Sequence, residues 1–179
     1  LTIVLDDRGR IWTFGDSKYG QLGRETSDGT SSDATSVTVQ LGIPETVSFI
    51  ILQVCCGCGW SHTLVPLSSS NDKVSVYGWG RNDKRQLGNG RTGHVASPQK
   101  LFDSFEQDIL SIACGSESSV VVNQSSSILG CGWNEHGNLG AGHADDCLEL
   151  VRAKGAHITP KPSYSEDDSQ LSVAVGGAH

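Results

Sequence analysis

The residues best equipped for chemistry cluster at Cys55-Cys56-Gly57-Cys58, where a C-x-x-C spacing presents two soft sulphur ligands. Zinc needs two more ligands at a compatible spacing, and no second C-x-x-C occurs in the 179 residues. Cys55 and Cys58 also fall on opposite faces of an extended strand, which makes pairing awkward. His136, His143 and Cys147 share one stretch but fit no common zinc spacing. Cys58 with His62 has the composition of a nucleophile–base pair. His62, however, recurs as His179 in a repeated motif, and recurrence suits a structural hydrogen bonder better than a reaction centre. There is no G-x-S-x-G elbow and no G-x-x-x-x-G-K-[ST] phosphate loop. The sequence therefore predicts no metal, no cofactor and no covalent catalysis.

The elements that carry these residues repeat. One pattern occurs three times, led by Gly15, Gly80 and Gly132 at offsets of 65 (80 − 15) and 52 (132 − 80) residues. Its closing positions are Gly20, Leu22 and Gly23, then Leu87 and Gly88, then Gly137, Leu139 and Gly140, with Arg85 standing where the other copies have Gly20 and Gly137. A second motif precedes each pattern: Cys58-Gly59-Trp-Ser-His62, Cys114-Gly115-Ser-Glu-Ser118 and Val175-Gly176-Gly-Ala-His179. Each copy follows a β-prone apolar run, at Phe49–Val54, Ile109–Ala113 and Leu171–Val175. Two short strands around a polar turn follow, which is hairpin grammar. With a fourth strand near 98–101 or 148–151, each unit holds four antiparallel strands, the content of one propeller blade. The Leu of each Gly-x-Leu-Gly is predicted to fold back as a plug beneath its own loop. Trp12 and Trp79 are predicted to pack in the core, and Trp133 to be exposed on its loop.

Gly-Gln-Leu-Gly after Trp-Gly or Phe-Gly, with Cys-Gly-x-x-His before a strand, resembles the regulator of chromosome condensation repeat family over nearly the whole chain. The resemblance implies an all-β fold, here a partial β-propeller holding about three of roughly seven four-stranded blades. The expected division of 1–179, a fragment of one propeller domain, is a partial blade over 1–48 with a polar insertion at 25–40, and a blade over 49–108. A blade over 109–170 with an acidic loop at 155–170 comes next, and 171–179 begins another. The chain begins within a strand and ends within a motif, so it reads as a monomeric part of a longer chain. Short matches within the family resemble the secretion-regulating guanine nucleotide exchange factor and the α-tubulin suppressor. The first implies a protein-interaction propeller regulating a small GTPase, displacing nucleotide without covalent chemistry. The second implies a non-catalytic adaptor for a small zinc protein of diphthamide synthesis and tRNA wobble modification.

Composition limits the partners. Gly is 22 of 179 residues, about 12% against an average near 7%, in keeping with a turn-rich β protein. The net charge of −7 and the lack of a basic stripe argue against nucleic acid, whose phosphates need Lys and Arg to displace counterions. No apolar run approaches the ~20 residues needed to span a bilayer. Six irregularly spaced Cys do not form a secreted disulfide framework, which points to a cytoplasmic or nuclear setting. The candidate partner-binding rim is the set of loop tips Asp16, Ser17, Lys18 and Tyr19; Arg81, Asn82, Asp83, Lys84 and Arg85; and Trp133, Asn134, Glu135 and His136. Variable side chains on a fixed glycine frame are the pattern of a recognition surface.

Overall fold

The computed structural model describes residues 1–43, 48–57, 62–69, 74–103, 109–125, 127–156 and 173–176. Among them, three antiparallel sheets follow one another along the chain. The first has the order β1 (Thr2–Leu5), β2 (Ile11–Asp16), β3 (Thr30–Ser36), and a 3-10 turn at Thr38–Leu41 follows it. The second runs from β4 (Phe49–Ile51) and β5 (Cys55–Cys56) through β6 (His62–Ser69) and β7 (Val74–Gly80) to β8 (Val95–Asp103). The third is β9 (Ile109–Cys114), β10 (Ser118–Asn123), β11 (Ile128–Gly132) and β12 (Cys147–Arg152). The antiparallel, nearly all-β architecture is that of propeller blades.

Burial falls where each sheet is covered on both faces. In β6, His62 to Leu67 are all buried, so burial does not alternate along the strand. The core runs through Ile11, Leu64, Val65, Val76, Trp79, Leu87 and Ile112 across all three sheets. The loop leucines Leu22, Leu87 and Leu139 are at most 4% exposed.

Three local expectations are corrected. Residues 25–40, expected as a polar insertion, contain the outer strand β3, whose side chains are mostly exposed. It is held to β2 by the backbone ladder, so a solvated outer strand needs no apolar pattern. The run Phe49–Val54 is not one strand: pairing breaks between Ile51 and Cys55. There Leu52 N–H donates to the Pro66 carbonyl, but Pro66, facing the same strand, has no N–H to return. Residues 173–175, expected within a strand, have no regular structure. The acidic segment 157–170 lies outside the described residues.

Candidate interaction rim

Each Gly-x-Leu-Gly loop is the same double turn. Gly20 N–H donates to the Ser17 carbonyl and Gly23 N–H to the Gly20 carbonyl, at 3.0 and 2.9 Å. Arg85 to Asn82 and Gly88 to Arg85 repeat the pair at 3.2 and 3.0 Å, and Gly137 to Asn134 and Gly140 to Gly137 at 2.8 and 2.9 Å. The middle residue must be left-handed, with φ of 76° at Gly20, 66° at Arg85 and 70° at Gly137. Arg85 accepts this at a cost of roughly 1–2 kcal/mol.

The loop tips divide into braces and displayed side chains. Asn82 and Asn134 are fully buried. The Oδ1 of each accepts the N–H of the plug leucine, from Leu87 at 3.0 Å and Leu139 at 2.9 Å. Nδ2 of Asn82 donates to Asn89 Oδ1 and the Arg91 carbonyl; Nδ2 of Asn134 donates to the His143 and Asp145 carbonyls. Ser17 and Arg81 are each 8% exposed. These four candidates of the expected contact surface are buried, which corrects the expectation that they are displayed, and Asn82 and Asn134 hold the loop's shape by satisfying backbone partners. The displayed set is Asp16, Lys18, Asp83, Glu135 and His136, with Tyr19, Lys84, Arg85 and Trp133 half-buried.

A position the sequence reading missed closes each loop. The residue 14 after the leading glycine accepts the N–H of the brace residue. Gly29 carbonyl takes Ser17 N–H at 2.6 Å, His94 Nδ1 takes Asn82 N–H at 3.4 Å, and Asp146 Oδ1 takes Asn134 N–H at 2.9 Å. The signal was the constant offset (29 − 15, 94 − 80, 146 − 132), hidden because three different residue types occupy it.

Rim side chains, displayed and buried together, touch from one sheet to the next. Tyr19 packs edge-on against His94 at 4.8 Å, and the Arg81 guanidinium lies 5.0 Å from its ring centre. Arg81 also holds Asp83 through Nε and Nη2, both at 2.5 Å. The hydrogen bond from Arg81 keeps the Asp83 carboxyl below the usual carboxylate range, against a smaller opposing effect of burial. Arg85 Nη1 reaches the Asp146 carbonyl at 3.3 Å. Trp133 stacks edge-on with His136 at 5.0 Å. Asp16 accepts the Gln21 side-chain amide at 2.6 Å.

Beneath the rim the same loops join neighbouring sheets. Trp79 Nε1 donates to the Gln21 carbonyl at 2.9 Å, and a side chain on Gly23 would meet that indole nitrogen at 2.9 Å. Ser119 Oγ donates to the Gln86 carbonyl at 2.7 Å, and His62 Nε2 lies 2.7 Å from the same hydroxyl. Because that O–H is given to the carbonyl, the imidazole N–H donates to Oγ. A Ser–His pair so sealed has neither a free hydroxyl proton nor a path for substrate, so His62 is a seam residue. Trp12 is only half-buried, its Nε1 held by Asp6 Oδ2 at 2.9 Å, and so does not sit in the core with Trp79.

The second motif also shifts register. Gly57 N–H pairs with the His62 carbonyl as Gly115 N–H pairs with that of Ser118. Gly57, not Gly59, thus matches Gly115, with five positions from glycine to acceptor in place of three. A Cβ on Gly57 would strike the Gly115 carbonyl, and one on Gly115 the Gly176 carbonyl at 2.8 Å. Cys58, Gly59 and His179 lie outside the described residues. Among the described residues no three His, Cys, Asp or Glu side chains group as metal ligands. His143 and Cys147 instead bond the backbone of Asp145.

The regulator of chromosome condensation (RCC1) repeat model matches residues 8–65 and 75–122, more than half of the chain. The chain belongs to the RCC1 repeat family. It is 32% identical over 140 residues to the serine/threonine-protein kinase Nek9 of Xenopus laevis, covering 78% of the chain and 14% of the kinase. Similarity to the ultraviolet-B receptor UVR8 of Arabidopsis thaliana is 27% over 165 residues, 88% of the chain and 34% of the receptor. The human E3 ubiquitin-protein ligase HERC2 is 29% identical over 145 residues, 79% of the chain and 3% of the ligase. Among solved structures, Prp20p of Saccharomyces cerevisiae superposes with a TM-score of 0.65 at 23% identity, covering 86% of the chain and 36% of Prp20p. Human WBSCR16 gives 0.65 at 24%, covering 79% and 34%. This RCC1 chain thus spans about a third or less of these relatives, and its sheets are blades of a β-propeller.

Proposed function

We propose that this segment presents the partner-binding rim of a propeller that regulates a small GTPase in the manner of a nucleotide exchange factor. The observation that carries the reading is the continuity of the rim, in which buried Arg81 links half-buried Tyr19 to the next loop. Tyr19 reaches Arg81 and His94 of the next blade, and Arg85 reaches the Asp146 carbonyl of the blade after. A rim joined blade to blade holds its side chains in fixed relative positions, which limits the entropy lost on binding. The solved relative Prp20p was characterised for binding to Gsp1p and histones, which supports a protein partner. Exchange of this kind needs contacts that favour the nucleotide-free GTPase, and no bond is made or broken on this chain.

The test is release of a fluorescent nucleotide from a panel of small GTPases with the whole protein present. Acceleration of at least one member is expected, and none across the panel overturns the proposal. A second reading is a non-catalytic adaptor, such as one holding a small zinc protein. It draws support from the matched segment's small share of Nek9 and HERC2, 14% and 3%, where it forms one part of a much longer chain. Stable co-purification with such a partner, without effect on nucleotide release, selects it.

A further inference from the structure

The seam between the second and third blades brings together two thiols that the rim does not use. Cys55 Sγ on β5 and Cys114 Sγ at the end of β9 are 2.9 Å apart, though 59 positions separate them in sequence. The bonded distance is about 2.05 Å, so a shift of roughly 1 Å joins them. The approach is held by its surroundings. Two residues before Cys55, the Gln53 side-chain amide grips both backbone groups of Ile112, itself two before Cys114. Nε2 donates to the Ile112 carbonyl at 3.0 Å, and Ile112 N–H donates to Oε1 at 3.2 Å. Gln53 and Cys55 therefore form successive rungs on one face of their segment, against Ile112 and Cys114 on the other. Beyond the cysteines, Gly57 packs on Gly115, which keeps the rungs in register. The two thiols also differ in access, since Cys55 is half-buried and Cys114 buried.

We infer that Cys55 and Cys114 are an oxidative modification site that hydrogen peroxide converts to a reversible inter-blade disulfide. The accessible Cys55 thiolate attacks peroxide, breaking its O–O bond and forming a sulfenic acid, while hydroxide leaves and takes the proton that Cys55 released. Cys114 sulphur then attacks Cys55 sulphur, and the sulfenic oxygen departs as water with the Cys114 proton. The sum is two thiols and one peroxide giving one disulfide and two waters, and a dithiol reductant reverses it. Burial pushes the Cys114 thiol well up, which keeps it protonated and unreactive to peroxide until the partner sulphur is oxidised. Cys56, next along the strand, projects to the opposite face and does not compete.

The test treats the reduced chain with hydrogen peroxide, alkylates the remaining thiols, and maps cross-linked peptides by mass spectrometry before and after dithiothreitol. A Cys55–Cys114 peptide is expected, reversed by reductant, with a thermal midpoint higher by about 5–10 °C in the oxidised chain. Cys55→Ser and Cys114→Ser each abolish the cross-link and the shift, whereas Cys56→Ser retains both. Cys55, being half-buried, gives the informative variant if Cys114→Ser fails to fold. Alkylation of both thiols after peroxide, or bonding of Cys55 to Cys56 or Cys58, overturns the inference.

Discussion

Asn82 shows how a residue's type can mislead about its role. A polar side chain on a glycine-rich loop suggests display, yet Asn82 is fully buried and makes hydrogen bonds to Leu87 N–H, Asn89 Oδ1 and the Arg91 carbonyl. Replacing it with Ala leaves those groups buried without partners, which costs about 2–4 kcal/mol. Chemical denaturation of wild type and Asn82→Ala measures this, and a loss under about 0.5 kcal/mol contradicts the brace role. The recurrence of Asn134 five residues before Leu139, as Asn82 stands before Leu87, was the available signal. Ser17, which fills the position in the first loop, breaks the pattern. The glycines give a second residue-scale contrast. Gly20 and Gly137 are both left-handed, but a Cβ on Gly20 would meet Ala96 Cα at 2.5 Å, while Gly137 has open space around it. Gly137→Ala should cost only the conformational ~1–2 kcal/mol, and Gly20→Ala at least twice as much. Equal losses in matched denaturation curves would show that the Ala96 contact does not constrain the loop.

At the scale of elements, seams matter as much as ladders. The second and third blades meet through His62, Ser119 and the Gln86 carbonyl, all buried. His62→Ala is expected to lose about 2–4 kcal/mol through the broken bond and the cavity left behind. A double-mutant cycle with Ser119→Ala should show a coupling of at least about 0.5 kcal/mol, and purely additive losses would contradict the seam. The strand plan was legible because glycine punctuation and apolar runs mark β6, β7, β9, β10 and β11. The outer strand β3 was not, because a strand that meets solvent over most of its side chains carries no hydrophobic pattern. The break between β4 and β5 was encoded in Pro66, but it acts on the strand opposite, so a local reading of Phe49–Val54 could not register it. The Cys55–Cys114 contact is hidden for a related reason: it joins residues 59 positions apart, which no local spacing records.

Across the whole molecule, each glycine-punctuated loop has two jobs. Inside each loop a plug leucine is buried, and in the first two loops the carbonyl of the residue before it, Gln21 or Gln86, closes the seam to the next blade. Each outer tip carries exposed side chains, among them Lys18, Glu135 and His136, which the proposed function assigns to a partner. The net charge of −7 is spread over a surface whose first two tips carry Lys18, Lys84 and Arg85 and whose third carries Glu135, so the rim is not uniformly acidic. Side chains on such tips can change without loss of fold, which suits a scaffold that serves many proteins. The most direct measurement of this division is nucleotide release from the responding GTPase with the whole protein carrying Lys18→Ala, Lys84→Ala, Glu135→Ala and His136→Ala together. Release should fall at least tenfold while the thermal midpoint stays within about 2 °C of wild type, as surface substitutions away from packed features allow. Unchanged release by this folded variant would contradict the account.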